Sequence, residues 1–544
     1  MKQSIIHLIL PVILVLSACN KDYLTRNNPT STTDESWWRT QAQLDGALDY
    51  IYASVPQGGY AGNPNGRIFF STMTDDAYWN GNFYGSLNTV ALGDGNPSLG
   101  WPYSGVWENN YARIRMASRF IENAERAYMD STLRTRYIYE ARAMRAWYHL
   151  DLYLYFGAIP IITKAVTPVE SGGLKRSSIQ EVVNFITSEL EICAAKLPVS
   201  YNNDQAKRIT KGACLSMRAI AFLNARMYSE AATAARQVID LKDENGAAVY
   251  RLHNSGAPDR NSYADLFSYN GKINRERIFM RTNGLNDIWF RNAPSGVPPG
   301  PAQAATNPTE ALANSYETLQ GKTLAELGND SMDIYKKEPN YKNNRDPRLQ
   351  YTLLYPNEVF EGRKLEPFNA DPNNSDRIGG PTGSATGFWM RKYLDPQDKG
   401  ATESSTLDFM IIRYAEILLT YIEAKVESND WQDPAVIQYL NDIRNRAGMP
   451  NVNVAVYNTQ EKLRQLYQRE RRVELALEGA RLFDIRRWKI GALVMRGSVE
   501  GATNPATGKA VVVQTRKFNE QRDYLWPIPQ NEIKTSQIIQ NEGY

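Results

Sequence analysis

The chain has 544 residues, and its 62 lysine and arginine residues nearly balance its 59 aspartate and glutamate residues, leaving a formal net charge of +3. That balance excludes the strongly basic surface that non-specific nucleic-acid binding needs. The length is enough for a large core and for more than one domain. Tyrosine and tryptophan are plentiful, at 32 and 11 residues, which suits an extracellular protein with binding aromatics on its loops.

Residues 1–18 have the features of a secretory leader. Lys2 supplies the positive start, and an apolar run from Ile5 to Leu16 follows. This run is shorter than the roughly 20 residues of a membrane-spanning helix, but it suits the apolar part of a signal peptide. Leu16-Ser17-Ala18-Cys19 then resembles the bacterial lipobox, whose cysteine thiol is alkylated by diacylglycerol. An ordinary signal peptide with a nearby cysteine is the alternative.

The residues after Cys19 predict where such a lipoprotein resides. Asn20 stands where some bacteria use aspartate to retain lipoproteins in the inner membrane. Lys21-Asp22 resembles the charged signal that sends lipoproteins of Bacteroidetes-type bacteria to the cell surface. We therefore expect residues 19–30 to be a lipidated tether, with acyl chains holding the protein at the outer membrane and facing the exterior.

Helical periodicity is clearest in "EARAMRAWYHLDLYLYFG", where Gly157 and Pro160 are expected to end the helix. Its apolar stripe runs through Ala141, Met144, Tyr148, Leu152 and Tyr155. In "DPAVIQYLNDIRNRAGMP", Asp433 is the expected N-cap, Pro434 fits the first turn and Gly448 follows the last turn. Both segments predict helices with one buried face.

Two alanine-rich helical runs meet at Met227-Tyr228-Ser229. Small residues on both runs allow close antiparallel packing, as in a tetratricopeptide-type helix pair, although a generic helical hairpin fits as well. Cys193 and Cys214 lie in apolar helical patterns and are interpreted as small buried hydrophobes. The sequence alone leaves a disulfide between them open.

Between about 250 and 410 the chain changes character. Stretches such as "SGVPPGPAQ" and "GGPTGSATG" carry turn and loop chemistry without a strong period. The region also contains four aromatic residues in two pairs, Trp289-Phe290 and Phe388-Trp389. We interpret it as an ordered, functional insertion.

The charged segment "RERRVELALEGARLFDIRRW" invites an enzymatic interpretation. Glu474 and Glu478 are four residues apart, which predicts two carboxylates on one helix face. A glycosidase needs two carboxylates about 5–10 Å apart. Several arginines stand close by in sequence, however, and they favour ionised, paired carboxylates over a catalytic acid. These arginines are Arg471, Arg472, Arg481, Arg486 and Arg487.

No other catalytic or metal-binding pattern is present in the sequence. There is no Gly-x-Ser-x-Gly elbow in a strand–helix context and no Walker A loop. The three histidines are scattered, and the Asp and Asn residues do not form an EF-hand pattern. We therefore expect no cofactor and no transition-metal site; no pattern indicates calcium, and the sequence leaves open whether calcium supports a loop.

Several segments together resemble the SusD/RagB family. The C-terminal ones are "FMIIRYAEILLTYIEAKVE", "LNDIRNRAGMP", "ERRVELALEGARLFDIRRW" and "DYLWPIPQNEI…QNEGY", and "ARAMRAWYHLDLYLYFGAIP" is similar to an N-terminal family helix. With the lipobox, the resemblance runs over nearly the whole chain in order. It implies a mainly α fold with four tetratricopeptide-like pairs as scaffold and a loop-rich binding part. It also implies a surface lipoprotein that captures glycans, or in some cases peptides, for a SusC-like TonB-dependent transporter.

A site for a neutral sugar should combine exposed aromatic rings with amides, carboxylates or arginine on loops. "TDDAYWNGNFYGSLN" fits best. Its candidate ligand-binding residues are Asp76, Tyr78, Trp79, Asn80, Asn82 and Tyr84. "NGLNDIWFRNAPSG" is the second candidate, with Asn286, Trp289 and Arg291. The alternative is that Trp79 or Trp289 fills a core gap. Trp101 and Trp107 form a third, weaker candidate that packing explains better.

We predict a helical region over residues 31–245 and a C-terminal region over 246–544 that includes the insertion. The predicted function is non-enzymatic capture of a glycan oligomer or polysaccharide at the outer membrane, with delivery to a SusC-like transporter. A peptide-binding member of the same family, a glycoside hydrolase and a purely architectural helical-repeat lipoprotein are the alternatives. Nucleic acid is not an expected partner.

Overall fold

The computed structural model describes residues 36–55, 66–81, 84–201, 205, 207–257, 260–281, 286–297, 302–336, 341–380, 382–402 and 404–544. The predicted leader, the tether with Cys19, and Asn82 lie outside these residues. No helix in the described ranges is both long enough and apolar enough to cross a membrane.

The described residues are mainly helical, with short strands between the helices. The α-helices are α1 Gln41–Tyr52, α2 Arg67–Phe70, α3 Ser86–Ala91, α4 Tyr103–Asn123, α5 Ser131–Phe156, α6 Pro168–Ser171, α7 Ile179–Ala194, α8 Lys211–Asn224, α9 Tyr228–Ile239, α10 Ser262–Asp265, α11 Ile288–Asn292, α12 Glu310–Ala313, α13 Asn329–Tyr335, α14 Arg348–Thr352, α15 Tyr414–Glu427, α16 Pro434–Arg446, α17 Gln460–Glu474, α18 Arg481–Trp488, α19 Gly491–Val494 and α20 Gln530–Thr535. Short 3-10 turns lie at Ser71–Met73, Ala124–Arg126, Tyr269–Gly271, Ala325–Leu327 and Pro396–Asp398.

The strands form two-stranded antiparallel pairs rather than one large sheet. They are β1 Ala77–Trp79, β2 Arg277–Arg281, β3 Thr306–Pro308, β4 Leu353–Leu354, β5 Val359–Phe360, β6 Arg363–Lys364, β7 Trp389–Met390, β8 Phe409–Arg413, β9 Gly497–Thr503 and β10 Ala510–Arg516. The pairs are β1 with β3, β2 with β8, β4 with β7, β5 with β6, and β9 with β10. Most of them therefore join segments that are far apart in sequence.

The long helices pack side by side in a continuous series. Contacts run from α1 through α4, α5, α7, α8 and α9 to α15, which also packs against α16 and α17. The scaffold thus consists of stacked helix pairs, in agreement with the predicted mainly α fold. The region between 250 and 410 supplies short elements on this scaffold wherever the structure describes it.

Local sequence signals set the ends of the predicted helices. Helix α5 begins after Asp130, whose side chain accepts the backbone N–H of Leu133, and it ends at Gly157 with φ 74°. Helix α16 begins after Asp433, which accepts the N–H of Ala435, and Gly448 follows its end with φ 84°. Both helix predictions are confirmed by these caps. Glycine suits the two C-terminal ends because it adopts a positive φ without a steric penalty.

Helices α8 and α9 form the predicted close pair, joined by the three residues 225–227. Buried alanines such as Ala221 and Ala231 allow their backbones to approach. Cys193 and Cys214 are free thiols, and both are buried. Their interpretation as small buried hydrophobes is confirmed, and the disulfide alternative is wrong.

One helix boundary differs from the prediction. Helix α17 ends at Glu474, and Glu478 lies in the turn that follows. Leu477 and Gly479 both have positive φ values, 61° and 85°, which an α-helix cannot contain. The two carboxylates therefore do not share a helix face, although both are buried in the same ion-pair cluster.

Candidate ligand-binding surface

The first candidate segment is anchored by strand β1, which pairs with β3 through Ala77–Pro308, Tyr78–Asn307 and Trp79–Thr306. Successive side chains of a strand point to opposite faces. Ala77 and Trp79 are accordingly buried, whereas Tyr78 is half-buried on the other side. This strand alternation is the sequence signal that separates the inward from the outward aromatic residue.

Trp79 belongs to the core. It is 2% exposed and lies edge-on to Phe69, with ring centroids 4.8 Å apart. Gly81 passes so close that a Cβ there would lie 2.5 Å from the indole ring. The expected exposed stacking face of Trp79 is therefore not present, and the core-packing alternative describes its position.

Asp76 and its neighbour Asp75 face inward and form ion pairs. Arg481 binds Asp75 through two hydrogen bonds of 2.8 Å. Arg472 lies 2.9 Å from Asp75 and 2.8 Å from Asp76. Burial alone would raise the pKa of Asp75, but the charges of Arg472 and Arg481 outweigh it and lower the pKa to about 2. Asp76 is 1% exposed, so its expected place on an open ligand surface is not found.

The half-buried residues of this segment form an aromatic surface with Trp101. Tyr84 packs on Trp101 with ring centroids 4.7 Å apart and an angle of 48°, and both side chains are partly accessible. Trp101 in turn packs near Phe70, with the ring centroids 6.2 Å apart. Asn80 is also half-buried and donates from Nδ2 to the Gly383 carbonyl at 2.6 Å. Trp101 is only a weak ligand-binding candidate in the sequence, because nothing local shows that Tyr84 folds back onto it.

The second candidate segment is largely structural. Trp289 is 2% exposed and stacks on Phe360, with the ring centroids 6.0 Å apart. Asn286 is 3% exposed and donates to the Leu407 carbonyl at 2.9 Å. Arg291 pairs with Asp287 at 2.8 Å. These three residues thus lie inside the fold rather than on the expected exposed rim.

Phe290 is the half-buried aromatic residue of the second segment, and the Arg291 guanidinium lies 5.2 Å from its ring centre. The two candidate segments meet at Ala305. The N–H of Asn80 donates to the Ala305 carbonyl, and the N–H of Ala305 donates to the Arg291 carbonyl, both at 2.7 Å. The structure therefore places the two segments on either side of the chain around β3. We call Tyr84 and Trp101, together with Asn80 of the same region, the aromatic surface, and Phe290 lies on the adjoining segment.

The charged segment forms a buried cluster rather than a catalytic pair. Glu474 is fully buried and accepts hydrogen bonds from three arginines, with Arg413 at 2.6 Å, Arg348 at 2.9 Å, and Arg446. Burial would raise its pKa, but these three positive charges outweigh burial and lower the pKa well below the usual 4.5. A glycosidase acid needs the opposite shift. The predicted structural role of Glu474 is confirmed, but the predicted partners are wrong: the carboxylate pairs with Arg348, Arg413 and Arg446, not with the arginines of its own segment.

Glu478 belongs to the same cluster, bound by Arg413 at 2.8 Å and by Lys392 at 2.6 Å. Burial lowers the pKa of Lys392 to about 8, even though Glu478 is its ion-pair partner.

Across the residues that the structure describes, no group of three or more His, Cys, Asp or Glu side chains could hold a metal ion.

Stacked helix pairs with aromatic and polar residues on the loops between them define a protein with a helical-repeat scaffold. A model described as "SusD family" matches residues 267–544, and one described as "Starch-binding associating with outer membrane" matches residues 22–223. The chain belongs to the SusD family.

Relatives match over most of their length. The chain is 24% identical to SusD-like protein P2 from Formosa agariphila, over 98% of each chain. A SusD-like carbohydrate binding protein from Bacteroides fragilis is 26% identical, with a TM-score of 0.80 over 92% of this chain and 99% of the other. A second SusD-like protein from that species is 23% identical, with a TM-score of 0.79 over 94% and 99% of the two chains. The mainly α, SusD-like fold prediction is confirmed.

Proposed function

We propose that this protein is a non-catalytic, surface-tethered binding protein that captures glycan oligomers or polysaccharide and passes them to a SusC-like TonB-dependent transporter. Two comparisons support a glycan over other ligands. One is the family description that names starch binding and the outer membrane, and the other is the 26% identical relative named as carbohydrate binding.

The aromatic surface carries the proposal. Tyr84 and Trp101 present two partly accessible rings at an angle of 48°, a shape that can follow the C–H faces of neighbouring sugar units. The half-buried Asn80, four residues before Tyr84 in the same segment, carries an amide that can exchange hydrogen bonds with hydroxyls. Tyr78 and Asn82 stay predicted contacts. Asp76, Trp79, Asn286, Trp289 and Arg291 support the surface from within.

Replacing Tyr84 or Trp101 with alanine is expected to weaken glycan binding about thirtyfold, since truncating an aromatic hot spot costs about 2 kcal/mol. Calorimetric titration of the mature chain against a panel of polysaccharides and peptides measures this effect. Circular dichroism checks that each variant folds.

Tyr128→Ala is the matched control, because Tyr128 is 95% exposed and lies at the loop between α4 and α5, outside the aromatic surface. Its affinity should equal that of the unmodified chain. Unchanged glycan affinity in both surface variants would contradict the assignment of the site. Binding of peptides alone would instead favour the peptide-capturing alternative.

The proposed tether makes a separate prediction. Cys19→Ala removes the thiol that diacylglycerol would modify, so the chain should lose its acyl label and leave the outer-membrane fraction. Metabolic labelling with a palmitate analogue, followed by membrane fractionation, measures both changes. Surface proteolysis of intact cells tests the exterior orientation. Ser17→Ala keeps a small residue before the cysteine and serves as the control, and equal labelling of Cys19→Ala would refute lipidation at this residue.

Capture without catalysis fits the charge state of Glu474, whose carboxyl is held ionised by three arginines. A glycoside hydrolase would release reducing ends from a polysaccharide that the protein binds. We expect no such release when the bound glycan is incubated with the mature chain. Co-purification with the transporter from the outer membrane tests the proposed partnership.

A further inference from the structure

A cavity of about 220 Å³ lies where the C-terminal ends of α5, α8 and α18 meet. Tyr153, Phe483 and Leu525 contribute apolar surface to its lining. Its polar lining is dominated by cations, namely Arg226, Arg486, Arg487 and Lys489. None of its lining residues is an aspartate or glutamate.

Three of these cations form no direct ion pair with the described residues. Arg487 is paired with Glu423 at 2.7 Å and with Asp484 at 3.0 Å. Arg226, Arg486 and Lys489, by contrast, form no ion pair with any carboxylate in the part of the chain that the structure describes. We call these three residues the cation triad.

Backbone carbonyls at the helix ends satisfy only part of the triad. Arg486 is 9% exposed and donates from Nη1 to the carbonyls of Leu154 and Tyr155, but its buried Nε has no hydrogen-bond partner. Arg226 donates from Nη2 to the Arg487 carbonyl at 2.7 Å. The Lys489 ammonium lies 4.0 Å from the centre of the Tyr524 ring.

The backbone holds two members of the triad in an unfavourable conformation. Arg226 and Lys489 have φ values of 59° and 58°, in the left-handed region that helix ends normally give to glycine or asparagine. Burial, followed by the charges of Arg226 and Arg486, lowers the pKa of Lys489. Burial also lowers the pKa of Arg486 to about 10. The positive charges of Arg226, Arg486 and Lys489 repel one another, and a bound anion would offset that repulsion.

We propose that this cavity binds an acidic saccharide unit, with the triad holding its carboxylate or sulfate group and the apolar wall covering its ring. Arginine offers paired donors for such oxyanions, and lysine adds a point charge. The apolar and aromatic wall gives a sugar ring an advantage over a free inorganic ion. This proposal does not rest on the aromatic surface, because the two sites use different residues and can fail separately.

The test uses the double variant Arg226→Asn/Lys489→Asn, because asparagine tolerates the left-handed conformation while removing the charge. Calorimetry of the mature chain with glucuronate, inorganic sulfate and glucose at constant ionic strength measures binding. We expect glucuronate to bind more tightly than sulfate, glucose to bind at least tenfold more weakly, and the variant to lose at least tenfold in glucuronate affinity. The single variant Lys489→Asn replaces the double one if the latter does not fold.

Lys196→Asn is the matched control, since Lys196 is an exposed lysine just beyond the C-terminal end of α7 and outside the cavity. It should leave glucuronate binding unchanged. Three results would overturn the proposal: no binding of glucuronate, sulfate binding that exceeds it and marks a site for free inorganic anions, or equal weakening in the control. The last result would assign the effect to general charge at helix ends.

Discussion

Replacing Glu474 with glutamine is expected to destabilise the protein by about 3–5 kcal/mol, the typical cost of breaking a buried ion pair from one side. The carboxylate is completely buried and is shared by Arg348, Arg413 and Arg446. Glutamine keeps the shape and one acceptor oxygen but removes the charge. Three guanidiniums would then remain buried with less neutralisation. Urea unfolding followed by circular dichroism measures the loss in free energy of unfolding.

Glu461→Gln makes the same chemical change on the same helix, α17. Glu461 is 64% exposed at its side chain and pairs with Arg464. Exposed pairs contribute about 0–1 kcal/mol, so this control should change stability little. If both variants lost the same free energy, the burial argument would be wrong.

The effect of Glu474→Gln should also depend on pH. The arginines hold the pKa of Glu474 in the folded state well below the 4.5 expected in the unfolded chain. A lowered folded-state pKa contributes stability that is complete above the unfolded-state pKa and is lost as pH falls toward the folded-state value. The difference between the two proteins should therefore be constant near pH 7 and shrink below about pH 4.5. Unfolding curves at pH 7, 5, 4 and 3 check this direction.

Replacing Trp79 with alanine is expected to cost about 3–5 kcal/mol of stability, the range for truncating a large buried aromatic residue. The indole is 2% exposed and packs against Phe69, Tyr84 and the backbone at Gly81. Removing it leaves a cavity that the β1–β3 pair cannot close without shifting. Thermal and urea unfolding measure the loss.

Tyr128→Ala provides the comparison for an exposed ring and should stay within about 0.5 kcal/mol of the unmodified chain. A Trp79→Ala variant with unchanged stability and abolished glycan binding would contradict the core assignment. It would return Trp79 to the ligand-contact role predicted from the sequence.

The helix ends could be predicted from the sequence because the interactions that control them are local. Asp130, Gly157, Asp433 and Gly448 determine helix ends through contacts within a few residues, and the family resemblance carries the overall fold. The structural role of the charged segment was also predictable from its many arginines, but the residues that bind Glu474 were not, because Arg348, Arg413 and Arg446 lie outside that segment.

Burial of the candidate binding residues could not be predicted in the same way. Asp75 and Asp76 are paired with Arg481 and Arg472, which lie about 400 residues further along the chain. The strand that pairs with the backbone of Trp79, β3, is likewise distant in sequence. A loop rich in aromatic and polar residues has the same composition whether it faces a ligand or a remote part of its own chain. Only the short alternation Ala77-Tyr78-Trp79 separates the two locally.

The long-range ion pair between Asp75 and Arg481 also has a consequence for modularity. Two family descriptions match separate stretches of the chain, yet this pair is buried at the junction of both, with each residue 7% exposed. Separating the stretches would leave a buried carboxylate on one and a buried guanidinium on the other. The two regions are therefore not exchangeable modules, and a chimera between family members must inherit both partners together.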